Sequence, residues 1–396
     1  MLSNNDGCII SLSREAKKLG VTMGSPYFMS KQLIEQHQIA VFSSNYNLYG
    51  DISRRVMDTL HTLLPQSCIE VYSVDEAFLD LSHVPADELL NFATQIKDTV
   101  ETWTGIDVSV GVAPTKTLSK LANRFGKKRT GSNRGMIILD TPEKITVALQ
   151  RTAIKDIWGV GSRKAFKLQE LGITDAWQLM QMPDEWARKN LGGVVGVRLI
   201  KELRGEPCID MHDPLTDKKM IATTRMFGCN VTNITDIKEA VATYVSRAAE
   251  KLRRQHSAAK IINVFLVSKS ENADQRHGPS DGTHIILPTA TSVTGELIKP
   301  AMQLVERLFK QGKVYKKAGV ILSELVPDQS IQANLFVPPS QNSRRLLMSA
   351  VDNINFSMRD DMVKYASAGL KKNWKMRQEL RSLRHTTRWE EIFEVS

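Results

Sequence analysis

Cysteine is scarce in this 396-residue chain: Cys8, Cys68, Cys208 and Cys229 are the only four, far apart and never at a C-x-x-C spacing. That pattern argues against both a zinc site and a disulfide framework and leaves reduced thiols as the simple reading. No apolar stretch approaches membrane-spanning length, and the N-terminus lacks the basic-then-apolar pattern of a secretory signal. The expectation is therefore a soluble protein of the cytoplasm. Acidic residues are the minority charge, 43 Asp and Glu against 53 Lys and Arg, which gives a formal net charge of +10. Such an excess favours a polyanionic partner over an acidic small substrate, and nucleic acid fits best. With 42% hydrophobic residues the chain can build ordinary cores, enough for two to four domains.

What is present starts with two adjacent carboxylates, Asp75 and Glu76, inside the run Glu70-Val-Tyr-Ser-Val-Asp-Glu-Ala-Phe-Leu-Asp-Leu81. Ile69, Val71, Tyr72, Val74, Ala77, Phe78, Leu79 and Leu81 read as one buried strand, where ionised carboxylates are costly unless a cation compensates them. Magnesium is the natural candidate, because it takes hard oxygen ligands, keeps several waters and bridges to phosphates. A strand end whose acids face water is the plain alternative. Between residues 113 and 136 stand Lys116, Lys120, Arg124, Lys127, Lys128, Arg129 and Arg134, with no acidic residue among them. In an α/β unit such a run points towards phosphate; a solvated helix face is the alternative.

The spacing predicts helices over 15–20, 52–64, 86–102 and 116–125, with a strand over 108–112. Residues 1–10 read as the end of one strand, a Gly7 turn and the start of another. Ile157-Trp-Gly-Val-Gly161 followed by Ser162–Gly172 is a tight glycine hairpin opening a helix, with Ser162 as N-cap. The amides of Gly159, Val160 and Gly161 and the flanking Arg163 and Lys164 would hold a DNA phosphate at the positive end of that helix; a plain turn is the alternative. No nucleophile or catalytic base lies near this segment, which argues against a nuclease or glycosylase. A linker is expected over 211–221. A unit of order βαββαβ is expected over 222–326, with helices on one sheet face and Arg225, Lys260, Lys269 and Lys317 supplying positive charge near the other. Past Pro327, Gln332-Ala-Asn-Leu-Phe336 is an apolar plug suited to a groove on a partner, with a strand fragment returning to its own domain as the alternative, and the tail bearing Trp374, Arg377, Arg381, Arg384 and Trp389 is basic and aromatic, suited to DNA or to a protein.

Several segments together resemble the Y-family translesion DNA polymerases, in the UmuC-type branch that supplies the catalytic subunit of bacterial DNA polymerase V. They are Asn4–Cys8, Glu15–Gly24, Phe42–Tyr46, Tyr72–Phe78, Val110–Asn123, Trp158–Gly161, Ala318–Leu322, Gln332–Phe336, Tyr365–Gly369 and His385–Trp389. The resemblance implies an α+β multidomain right hand: fingers over 1–46, an incomplete ferredoxin-like palm over 47–136, a helix-hairpin-helix thumb over 137–210, a βαββαβ little finger over 222–326, and a tail over 327–396. It implies error-prone synthesis opposite damaged bases in the SOS response. Asp75 and Glu76 would be the catalytic metal ligands for two Mg2+ ions, and Lys17 and Lys127 would contact the incoming deoxynucleoside triphosphate. Gln332, Leu335 and Phe336 would bind the sliding clamp. Primer-template DNA, a UmuD-type accessory subunit and a RecA filament are the further partners implied, with a bacterial, nucleoid-associated location. Family members begin with a strand carrying an Asp metal ligand, and the present sequence starts after the matching segment. Asp6, in the Asn-Asn-Asp-Gly turn of the fingers, is not expected to replace it. A remnant that binds DNA and clamp without catalysis is the competing expectation.

Overall fold

The structure, a computed structural model, describes residues 1–128, 135–212, 217–270, 278–332, 342–358 and 361–394. The chain divides into two compact units, Met1–Asn45 with Asp217–Leu383, and Tyr46–Thr216 with Arg384–Ser396. No helix among the described residues is long and apolar enough to cross a membrane.

In the first unit, β1 (Leu2–Asn4) and β2 (Cys8–Ser11) form a hairpin, and β3 (Phe42–Ser43) pairs parallel to β1. The hairpin turn is closed by the Gly7 N–H donating to Asn4 O at 3.2 Å. Asn5 and Asp6 both have positive φ, 54° and 45°, which only short polar side chains and glycine adopt readily and which matches the twist of a tight hairpin. Helix α1 (Arg14–Lys18) is capped by Ser13 and followed by Gly20 at φ 92°, and α2 (Tyr27–Gln36) leads to β3.

The larger part of this unit follows the expected βαββαβ order. Strands β8 (Ile221–Val231), β9 (Ser257–Ser268), β10 (Ser280–Thr291) and β11 (Tyr315–Pro327) form an antiparallel sheet of order β10-β9-β11-β8. The helices α11 (Ile234–Arg254) and α12 (Thr294–Leu308) cover one face. Period-two alternation sends Ile262, Val264, Leu266, Ala318, Val320 and Leu322 to that face, where they pack on Ile237, Val241, Val245, Leu297 and Leu304. The positive charge divides differently from the expectation. Arg225 pairs with Ala318 in the register, on the helix-covered side, within electrostatic reach of Tyr244 and Lys251. Counting by twos from the buried Ile221 and Thr223 leads to the same side. Lys317 lies on the open face, its ammonium 5.8 Å from the Phe265 ring, and Lys260 donates to Pro288 O at 2.8 Å. Helix α13 (Asn342–Ser357) follows.

The second unit holds two smaller cores. Helices α3 (Tyr46–Leu63) and α4 (Leu89–Thr104) pack with the two-stranded hairpin of β4 (Ile69–Val71) and β5 (Ala77–Leu79), burying Met57, Leu60, Ile69, Ile96 and Val100. Helix α3 begins six residues before the expected start. The parallel pair β6 (Val110–Val112) and β7 (Met136–Ile138) carries α5 (Lys116–Lys127) so closely that a Cβ on Gly111 would lie 2.1 Å from Asn123 N, which is why glycine stands there. Helices α6 (Pro142–Gln150), α7 (Ser162–Glu170), α8 (Ala176–Met180), α9 (Asp184–Asn190) and α10 (Val194–Leu203) share the second core with α5.

Candidate active site

Residues 69–81 are not one buried strand. They form a hairpin in which Tyr72–Glu76 is the turn, closed by the Tyr72 and Ser73 N–H groups, both donating to Glu76 O at 3.0 Å. Val71, Tyr72 and Val74 are exposed, while Ile69 and Phe78 are buried. The physical reason is that a two-stranded ribbon has a single covered face, so alternate residues must face water. The carboxylates therefore stand at an accessible tip, where desolvation no longer has to be offset.

At that tip Asp75 is exposed and accepts from Ser73 Oγ at 2.6 Å. Glu76 faces cations from α5: Lys120 Nζ at 2.7 Å from Oε2 and Lys127 Nζ at 3.8 Å from Oε1. The positions 76, 120 and 127 meet because 120 and 127 are seven apart, two turns along one helix face. The ammonium of Lys120 also lies 5.2 Å from the Tyr72 ring, a cation–π contact. Tyr72, Phe78 and Trp158 form an aromatic cluster with centroids 5.4–5.8 Å apart, and Trp158 Nε1 donates to Tyr72 Oη at 3.1 Å. The carboxylate turn and the glycine turn are thus joined through Tyr72 and Trp158, a link that spacing along the chain does not reveal.

The rest of the basic run is spent differently from the expectation. Lys116 is buried and ion-paired with the buried Glu70, and it also donates to Asp210 O at 2.7 Å, while His212 N–H donates to the same Glu70 oxygen at 2.8 Å. Arg124 pairs with Asp156 at 2.5 Å. These two cations are structural, because a buried or paired partner neutralises them, and the cations that border the carboxylates are Lys120 and Lys127. Arg129 and Arg134 lie outside the described residues. Glu202 is marked by no short motif. It is buried on α10 and accepts the N–H groups of Thr117, Cys208 and Ile209 at 2.8–3.2 Å, so it anchors the start of α5.

The glycine turn has Gly159 at φ 90°, and the N-cap of α7 is Gly161, with Ser162 as the first helical residue. Val160 is buried and its N–H donates to Ile157 O at 3.1 Å, so that amide closes the turn and is not an anion donor. The first-turn amides of α7 have no acceptor within the helix, and Arg163 beside them is exposed. Lys17, exposed in the last turn of α1, belongs to the first compact unit, and Lys127 belongs to the second. Gln332 is exposed, whereas Leu335 and Phe336 lie outside the described residues.

Among the described residues no three or more His, Cys, Asp and Glu side chains gather as a metal cage. Two adjacent carboxylates at an open tip fit a hard divalent cation that keeps waters and shares substrate oxygens, and do not fit an all-protein cage. The residues that would hold it are Asp75 and Glu76.

Comparison with known proteins gives a consistent result. Residues 1–124 match the model of the impB/mucB/samB family, residues 218–335 match the C-terminal domain of that family, and residues 345–395 match a domain of unknown function, DUF4113. The chain is 37% identical to Protein UmuC of Salmonella typhimurium over 399 residues, covering 100% of this chain and 93% of that protein. It is 26% identical to DNA polymerase IV of Desulfatibacillum aliphaticivorans over 362 residues, covering 89% and 85%. Among solved structures, a Y-family DNA polymerase chimera of Dbh and Dpo4 superposes with a TM-score of 0.67 at 21% identity, over 82% of this chain and 90% of that one. That likeness establishes the fold.

Proposed function

The chain belongs to the impB/mucB/samB family, and we propose that it is a DNA-directed DNA polymerase that extends primers past damaged template bases. The observation that carries this reading is the Asp75–Glu76 turn beside Lys120 and Lys127, in a chain similar along its whole length to Protein UmuC. The metal would be magnesium, held by Asp75 and Glu76, and it would supply Lewis acidity for phosphoryl transfer. Asp75, exposed at the tip, presents its carboxylate without competition from a cation of its own chain within the turn. Lys120 and Lys127 hold Glu76 in place and set positive charge where phosphoryl charge develops. Lys17 is a second candidate for the triphosphate. The start of α7, with Gly161, Arg163 and Lys164, would take a DNA phosphate without reading sequence.

In this reading residues 1–46 are fingers, 47–136 palm, 137–210 thumb and 222–326 little finger. Gln332–Phe336 is the clamp-binding peptide. A UmuD-type subunit and a RecA filament are the accessory partners in an SOS-regulated, cytoplasmic reaction. Support for these parts comes from the family membership and the motifs.

The test is primer extension opposite an abasic site with magnesium and all four deoxynucleotides, alongside Asp75→Ala. Extension by the native chain that the variant lacks, with primer-template binding kept by both, is the expected result. Synthesis by Asp75→Ala would overturn the site, and DNA binding without synthesis by the native chain would make this a DNA-binding protein instead.

A further inference from the structure

The domain of unknown function in the tail contains a segment whose contacts are specific. Trp374 is buried in the core of the four-stranded domain, against Tyr244 at 5.8 Å and nearly perpendicular to it. Its indole N–H has no partner among the described residues, so it is a packing anchor. Immediately beside it Gly228 N–H donates to Trp374 O at 3.0 Å, and a Cβ on Gly228 would lie 2.2 Å from Lys375 O. Glycine is what lets the tail backbone lie directly on β8.

From there the chain runs onto the N-terminal hairpin. Arg377 N–H donates to Asn5 Oδ1 at 2.7 Å, and Asn5 Nδ2 donates in turn to Phe227 O at 2.9 Å. Glu379 N–H donates to Asp6 Oδ2 at 2.9 Å, and the other Asp6 oxygen accepts from Ser43 Oγ at 2.5 Å. Leu380 N–H donates to Ser43 Oγ and Leu380 O accepts from Ser43 N–H, both at 2.9 Å. Arg381 forms a parallel bridge with Ser43, and Asn45 Nδ2 reaches Ser382 O at 2.9 Å. Ser3, Ser43 and Asn45 are buried, at 1%, 0% and 1% exposure.

The geometry points to residues 377–383 as a strap: an added strand on the outer edge of β3 that ties residues 1–45 to the four-stranded domain. Its partner is this chain's own Asn5–Asp6 turn and Ser43–Asn45 edge. The left-handed Asn5 and Asp6 make the chemistry possible, because a tight turn with both residues at positive φ presents a carboxamide and a carboxylate towards the passing backbone. The strap saturates an edge that would otherwise be open to pairing with other chains. It does not depend on the chain being a polymerase. The position of the N-terminal segment is thereby made to depend on the tail.

Hydrogen exchange of the full chain, read by mass spectrometry, tests this. In the native protein, amides 42–45 and 377–383 are expected to be protected together. In Glu379→Pro, which removes the donor to Asp6 from an exposed tail position, both segments are expected to exchange about tenfold faster or more, with α11 unchanged. Gly228→Val, which collides with Lys375 from the other side, is expected to release 377–383 as well. Unprotected 377–383 amides in the native chain would overturn the strap. So would Glu379→Pro exchange that speeds the tail and leaves 42–45 as in the native protein.

Discussion

Among the described residues, two hairpin turns carry a carboxylate at the tip, and their surroundings differ. At the β1–β2 turn, Asp6 is satisfied by its own chain: one oxygen takes the Ser43 hydroxyl and the other takes the Glu379 amide. At the β4–β5 turn, Asp75 is exposed and, among the described residues, hydrogen-bonds its neighbour Ser73 in the same turn, while Glu76 looks at two lysines. A carboxylate filled by backbone and hydroxyl donors is a fastener. In the proposed site, the open Asp75 carboxylate, next to a Glu76 that faces two lysines, would be placed for a ligand that brings its own charge. The same residue type at the same kind of turn thus stands in opposite surroundings, set by the donors around it.

The sharpest challenge to this division is the buried pair at the base of the second hairpin. Lys116→Met leaves Glu70 buried without its cation, and the second unit is expected to lose about 3–5 kcal/mol in denaturant unfolding. A loss near zero would mean that the His212 amide alone satisfies Glu70. Next, Asp6→Ala strands the Ser43 hydroxyl and the Glu379 amide, at an expected cost of about 1–3 kcal/mol in the first unit. By contrast Asp75→Ala, at an exposed tip, is expected to stay within about 0.5 kcal/mol of native stability. Equal destabilisation by Asp6→Ala and Asp75→Ala would erase the distinction. Trp158→Phe keeps the aromatic packing and removes the donor to Tyr72, so a cost of about 1 kcal/mol is expected by the same measurement.

The smallest effect is in pH. The backbone N–H and hydroxyl of Ser82 hold the Asp80 carboxyl below its usual value. A depressed folded pKa means that its contribution is complete above the unfolded value of 3.8 and fades as pH falls through the folded one. Asp80→Ala should therefore lower stability slightly at neutral pH and flatten the acid limb below that value. An unchanged acid limb would remove Asp80 from the account.

Much of the architecture was readable in the residues. Long amphipathic patterns such as Ile237, Val241, Val245 and Leu252 carry their own period, and α11 forms where that period lies. The Tyr72–Phe78 and Trp158–Gly161 motifs pointed to two segments that the structure brings together through Tyr72 and Trp158. What they did not mark was the turn inside 69–81. A run of apolar residues reads alike as a buried strand and as a ribbon with one wet face, and the difference lies in what covers the other side. Lys116 was indistinguishable from Lys120 for a related reason: their chemistry is identical, and only the presence of Glu70 beside one of them makes it structural.

The amino-acid order by itself determined the kinds of element, their succession, the family, and the presence of a paired carboxylate near a basic helix, because these depend on local periodicity and short motifs. Tertiary structure alone decided which cations face Glu76, that Trp158 supports Tyr72, and that Asp6 holds the tail. Ser43 and Leu380 are 337 residues apart, and no local pattern encodes a partner at that distance. Such contacts form only when the cores bring both segments to one place, and there the geometry of donors and acceptors selects among residues that the sequence leaves equivalent.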